Sequence, residues 1–176
     1  MNNGLKILFL FLLVNTFTIR VFAQTPASLI KEFTLEVQRI NTDKGLKKIE
    51  LSKEEFANNS FDGSGNLIAY TNGRDVRKIV VFVGKSNGNE VIDLYIKKGV
   101  LFFAYTRFIG FKYNDHTNMF DYANTFLMYE GRLYYQNDKI LRIKEKGGNG
   151  YVESPDAYPS FVKGFIVSIL KKIGVR

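Results

Sequence analysis

The stretch NLIAYTNGRDVRKIVVFVGKSNGNEVIDLYIKKGVLFFAYTRFIGF, Asn66 to Phe111, decides the fold. It reads as four β-rich runs: Asn66–Thr71, Val76–Val83, Glu90–Lys97 and Val100–Phe111. Valine, isoleucine, tyrosine and phenylalanine fill the runs, and glycine and asparagine punctuate them. Asn72-Gly73 is a strong hairpin signal, Asn87-Gly88 lies in the next break, and Lys98-Gly99 closes a third. Links this short leave no room for a crossover helix, so successive strands must be antiparallel neighbours.

The pattern extends both ways. Leu46–Leu51 reads as a short strand upstream. Downstream, a polar stretch from Asn114 to Asn124 breaks the series before Thr125–Tyr135, a turn at Gln136-Asn137-Asp138, and Lys139–Lys144. Gly147-Gly148-Asn149-Gly150 reads as a connector.

Two helices flank this region. Thr25 can cap a first helix over Pro26–Asn41, Pro26 fits its first position, and Leu29, Phe33, Val37 and Ile40 form one stripe. Phe33, Leu35 and Val37 also alternate as in a strand, but the cap and the length favour helix. Pro159–Ile173 forms a second helix with a broad apolar face through Phe161, Val162, Phe165, Ile166, Ile169, Leu170 and Ile173. Gly164 inside it suggests close packing on the sheet. The expected architecture is α+β: one domain over residues 24–176, an antiparallel meander of about six strands with a helix at each end.

Strand alternation raises a question. Val100, Phe102, Ala104, Thr106 and Phe108 fall on one face of their strand; Leu101, Phe103, Tyr105, Arg107, Ile109 and Phe111 fall on the other. Both faces are apolar, whereas a sheet with one wet face alternates more cleanly. Either two helices cover both faces, or an aromatic patch stays open for a partner. Tyr105, Arg107, Phe111 and Tyr113 are the candidates for an exposed recognition surface.

An aromatic residue followed by a polar or glycine turn recurs at Tyr70-Thr-Asn-Gly73, Tyr95 to Val100, Tyr129-Glu-Gly131-Arg-Leu133 and Tyr135 to Ile140. Three stretches, Ile40-Asn-Thr-Asp-Lys-Gly-Leu46 after the first helix, the hairpin Gly65–Tyr70 with Val76–Ile79, and Leu94–Phe102, together with the Phe22-Ala23-Gln24 leader ending, resemble small exported proteins of Bacteroidota, in which a helix precedes an antiparallel meander. The resemblance covers about residues 26–145. It implies a fold and a setting, and it carries no catalytic residue across.

Residues 1–23 read as a secretory leader. Lys6 charges the start, Ile7–Val14 is unbroken apolar sequence, and Val21-Phe22-Ala23 offers a cleavage site before Gln24. Asn15, Thr16, Thr18 and Arg20 interrupt the run before it reaches spanning length. The expectation is a soluble, exported protein, periplasmic or extracellular, with no transmembrane segment in the mature chain. Lys6 and Arg20 are the leader's only charges, so the mature chain keeps 23 basic and 17 acidic residues, formally +6. Outside the cytoplasm the available polyanions are surface glycans, lipid head groups and acidic proteins, but the scattered pairs Lys47-Lys48, Arg77-Lys78, Lys97-Lys98 and Lys171-Lys172 read first as solvated surface. The expected partner is a protein or anionic glycan of the envelope, not nucleic acid.

Composition excludes several chemistries. Cysteine is absent, and there is a single histidine, so disulfides, thiolate metal sites and multi-histidine cages are excluded within one chain. No metal or cofactor is expected. The tetrads Ser28–Lys31 and Ser160–Lys163 lack the partner motifs of penicillin-recognising enzymes. His116 has no nucleophile elbow to serve, Glu54-Glu55 are adjacent in a polar segment, and Asp62-Gly63-Ser64-Gly65-Asn66 lacks the closing ligands of a calcium loop. The best-supported expectation is a non-enzymatic binding protein. A hydrolase of envelope glycans or peptides and a structural envelope protein are the alternatives.

Overall fold

The computed structural model describes residues 25–56, 64–148 and 154–174. The expected leader, Asp62-Gly63 of the calcium-loop candidate and Asn149-Gly150 of the glycine connector lie outside the described residues.

The elements run α1 (Pro26–Thr42), β1 (Lys47–Ser52), a one-turn α2 (Lys53–Phe56), β2 (Gly65–Asn72), β3 (Asp75–Lys85), β4 (Gly88–Lys97), β5 (Val100–Asn114), β6 (Met119–Gln136), β7 (Lys139–Gly147) and α3 (Tyr158–Lys172). The strands form one sheet in sequence order, every neighbour antiparallel. The expected α+β meander is therefore present, with seven strands rather than about six. The short strand read over Leu46–Leu51 is β1, whose pairing with β2 is regular from Lys47↔Thr71 to Ser52↔Asn66. The polar stretch from Asn114 is a hairpin tip and not a break, because β6 already begins at Met119.

Each helix takes one face of the sheet, which answers the two-sided apolar pattern. On the α3 face, Leu67, Ile79, Leu94, Leu101, Ala104, Leu133 and Tyr135 bury against Tyr158, Val162 and Ile169. On the α1 face, Tyr95, Phe102, Phe103 and Tyr134 bury against Ile40, with Phe33 and Val37 beside them. Thr25 caps α1 by accepting from the Ser28 backbone N–H. Gly164 does not mark close packing: a Cβ built there meets nothing within 4 Å.

Simple alternation misplaces two residues of β5. Tyr95 pairs with Phe103 and Ile96 with Leu101, so Phe102 is an extra residue in the ladder. This bulge puts Phe102 and Phe103 on the α1 face together and sends Leu101 to the α3 face. The same device recurs at the same offset from two other turns. Arg77 is the extra residue between Val76 and Lys78, and Leu141 between Ile140 and Arg142. All three bulges serve α1. Arg77 pairs with Glu36 at 2.6 Å, Lys78 reaches Asn41 at 3.2 Å, Phe102 packs its ring 5.3 Å from Phe33, and Leu141 joins the same apolar cluster. A bulge presents two adjacent side chains to a helix where plain alternation presents one.

These hairpins account for the aromatic–turn pattern, with one correction. Tyr70, Tyr95 and Tyr134 sit opposite the residue that follows each bulge. Tyr129-Glu-Gly131-Arg-Leu133 is no turn; it lies inside β6. Gly131 is there because the Tyr129 ring crosses it: an added Cβ would meet the Tyr129 hydroxyl. That hydroxyl donates to Glu145 at 2.8 Å.

Two phenols in this sheet are held protonated. Burial, then the bond to Glu145, pushes Tyr129 far above the usual tyrosine pKa. Burial, then the charges of Tyr158 and Asp156, does the same to Tyr135, whose hydroxyl donates to the Pro155 carbonyl at 2.8 Å. Unfolded phenols ionise near pH ~10, so this stability is fully present below that pH. It is lost as pH rises from there through the higher folded values. Tyrosinate absorbance should show a late, unfolding-linked phase, and Tyr129→Phe and Tyr135→Phe should each diminish it. A titration in which every tyrosine ionises near pH ~10 with the fold intact would contradict this.

Candidate binding surface

Odd-numbered residues of β5 beyond the bulge share the α1 face, so Tyr105, Arg107, Phe111 and Tyr113 do lie on one side of one strand. The structure divides them into two settings. Tyr105 and Arg107 enter a polar network beside α1; Phe111 and Tyr113 ride on a projecting hairpin.

The network is built across four strands. Asp93 on β4 is buried and holds Arg107 at 2.7 Å and Lys78 at 3.2 Å. Tyr105 donates to Glu130 at 2.6 Å, and Arg132 reaches the same carboxylate at 3.1 Å. The guanidinium groups of Arg107 and Arg132 lie 5.1 and 5.0 Å from the Tyr105 ring centre, within cation–π range. At the α1 end, Asn41 Oδ1 accepts from Lys78 at 3.2 Å and from Tyr95 at 3.1 Å. Lys78 itself stands 4.8 Å over the Tyr95 ring.

These contacts shift proton affinities in consistent directions. The Tyr105 hydroxyl, with Arg132 behind it, holds Glu130 below the usual carboxylate range. Burial, then the bond to Glu130, raises Tyr105. Burial opposes charge on Lys78, but Tyr95 and Asp93 outweigh it, and its pKa is raised. Glu130 and Lys78 are thus both shifted away from neutrality, the opposite of what a general acid or base needs.

Between α1 and the sheet lies a cavity of about 310 Å³. Tyr95, Phe103, Tyr105 and Tyr134 supply its aromatic walls, Arg132 stands at its side, and Thr34, Val37 and Asn41 close it from α1. That is the size and make-up of a small-ligand site: apolar walls with a few placed polar groups.

Beyond the cavity the β5–β6 hairpin outruns its neighbours. β4 pairs with β5 no further than Gly88↔Gly110, and β7 pairs with β6 no further than Tyr129↔Gly147. The projecting part carries edge-to-face ring pairs, Phe111–Tyr122 at 5.0 Å and Tyr113–Phe120 at 5.3 Å. Tyr113, Met119, Tyr122, Phe126 and Leu127 are exposed. These exposed side chains are spread over both sides of the hairpin: Leu127 pairs with Ile109 on the side of Tyr113, whereas Phe126 and Met119 pair with Gly110 and Asn114 on the other.

Sequence reading missed Arg132, Glu130, Asp93, Lys78 and Asn41. Glu130 and Arg132 are two apart on one strand and so share a face, which is legible. That they meet Tyr105 depends on the β5–β6 register, Tyr105↔Arg132, which is not.

The other candidates have structural roles. Glu54 and Glu55 are both held below the ordinary glutamate pKa, chiefly by Ser52 and by Lys172 respectively. A glycosidase acid needs its carboxyl raised. Lys163 of the second tetrad pairs with Asp138 at 2.6 Å. His116 is exposed at the hairpin tip, and its backbone N–H donates to Asn114 Oδ1 at 3.0 Å. Among the described residues no group of three or more His, Asp or Glu is placed to hold a metal ion, and no helix is long and apolar enough to cross a membrane. No protein family, curated protein or solved structure is matched by this chain.

Proposed function

We propose that the protein is an exported, non-enzymatic binding protein that presents the α1 face of its sheet to a protein or anionic glycan of the cell envelope. One observation carries the reading. An aromatic cavity flanked by Arg132, the Arg107–Tyr105–Arg132 stack and a projecting aromatic hairpin are continuous on one strand pair. The leader-like composition of residues 1–23 and the resemblance to small exported Bacteroidota proteins support the envelope setting. The carboxylates nearest the cavity are each already bound to cations, which favours recognition over hydrolysis.

The test is an affinity pulldown from the periplasm and outer membrane of the source cell, run with wild type and with a Phe111→Ala/Tyr113→Ala double variant. A specific partner or glycan fraction retained by wild type and lost by the variant is the expected result. Equal retention by both would remove the hairpin from the surface. Hydrolysis of envelope material by the purified protein would overturn the non-enzymatic reading.

A further inference from the structure

We propose that the cavity beside α1 binds an acidic sugar, a pyranose ring bearing a carboxylate, with Arg132 taking the carboxylate and the aromatic walls taking the ring. The inference rests on the binding-surface reading and narrows it to one ligand chemistry.

Three features of the cavity converge on that class. The first is the wall. Tyr95, Phe103, Tyr105 and Tyr134 line it with aromatic carbon, an apolar surface on which the C–H face of a sugar ring can pack. Purely apolar ligands would not use the polar groups opposite them on α1. The second is Asn41. Its oxygen already accepts from both Lys78 and Tyr95, so the amide nitrogen is the group left to donate. Thr34, two helical turns before it on the same helix, donates its hydroxyl hydrogen to the Ile30 carbonyl at 2.8 Å, which leaves the hydroxyl oxygen as an acceptor. The hydroxyls of linked sugar units, both donors and acceptors, can satisfy a donor and an acceptor spaced in this way.

The third feature is charge. Across the network Lys78, Arg107 and Arg132 face Asp93 and Glu130, three cations to two carboxylates, so one positive charge is unmatched. Arg132 is the cation that lines the cavity. Its side chain is 44% exposed, and Glu130 engages it through one terminal nitrogen only. The guanidinium lies 5.0 Å from the Tyr105 ring centre, and its other N–H donors are not taken up by Glu130. A planar fork with spare donors suits a carboxylate better than a neutral hydroxyl.

The experiment uses the purified protein without its leader, a glucuronate-containing tetrasaccharide and the same tetrasaccharide with its carboxylates reduced to alcohols. Affinities are read by titration calorimetry, and the site by chemical-shift changes. The acidic tetrasaccharide is expected to bind at least tenfold more tightly than the reduced one, with shifts at Tyr105, Asn41 and Tyr134. Arg132→Gln should abolish the difference between the two ligands, and Arg132→Lys, which keeps the charge but not the fork, should restore less than half of it on a logarithmic scale. Equal affinity for both ligands overturns the acidic-sugar inference. So does absence of binding by wild type, or binding with shifts confined to the hairpin. If either variant fails to fold, the wild-type comparison alone decides. A pulldown partner that depends on Phe111 and Tyr113, found together with no saccharide binding, sinks this inference while the broader binding reading stands. Loss of both removes both.

Discussion

Replacing Ile169 with alanine should lower stability by about 2–5 kcal/mol, the range for large-to-small changes in a packed core. Ile169 sits in the last turns of α3, fully enclosed among the residues of the α3 face. Its neighbours are strand side chains whose backbones are locked in a seven-stranded ladder, so the site cannot collapse to fill the space. The cost should fall near the upper part of the range for that reason. Phe165 makes a useful contrast. It belongs to the same helix and contacts Phe56 edge-on at 5.8 Å, but it is only partly buried. Its replacement by alanine should cost less than that of Ile169, although phenylalanine is the larger residue. Gly164→Ala on the open side should stabilise α3 by about 1 kcal/mol, since the new Cβ meets nothing and helix propensity rises. Chemical denaturation of the three variants checks the order. An Ile169→Ala protein as stable as wild type would mean that α3 does not pack on the sheet.

The second large effect is expected at Asp93. Its carboxylate is enclosed and bridges the two strands that flank β4, holding Arg107 on β5 and Lys78 on β3. Asp93→Ala leaves two cations facing each other without their shared counter-charge. Removing one partner of a buried pair costs about 3–5 kcal/mol, and the partial exposure of Arg107 reduces that to about 2–3 kcal/mol here. Asp93→Asn keeps an acceptor oxygen and should lose about half as much. The ion pair between Lys97 and Glu32 provides a control. It is 3.2 Å long with both side chains nearly half exposed, and Glu32→Ala should change stability by well under 1 kcal/mol. Unfolding measured at low and high salt separates the two cases: the exposed pair is screened, the enclosed one much less. An Asp93→Ala protein within 0.5 kcal/mol of wild type would show that the network does not hold the α1 face together. If the cavity binds an acidic sugar, this variant should also weaken that binding, because Arg107 orients the ring on which Arg132 stacks.

The sequence by itself determined the elements and their connection. Runs of β-branched and aromatic residues between Gly and Asn turns specify strands, and links of two residues permit only antiparallel neighbours. Hence the order of the sheet was legible from Asn66 to Phe111 and again from Thr125 to Lys144, while the β5–β6 hairpin tip read as a break; both helices were legible too, from a cap and a proline in one and an apolar face in the other. The identity of Tyr105, Arg107, Phe111 and Tyr113 as one row on one strand was legible for the same reason, since alternation is a local property. The tertiary structure alone decided three things. It decided that α1 and α3 lie on opposite faces, because an apolar stripe states that it must be covered but not by which partner. It decided the bulges at Arg77, Phe102 and Leu141, which shift alternation by one residue and depend on the match between a ladder and the helix above it. And it decided the site. Asn41, Lys78, Asp93, Tyr105, Glu130 and Arg132 come from α1 and four strands, and only cross-strand register brings them within hydrogen-bond reach. Register is a sum over many weak pairings along the whole sheet, so no short stretch of sequence encodes it.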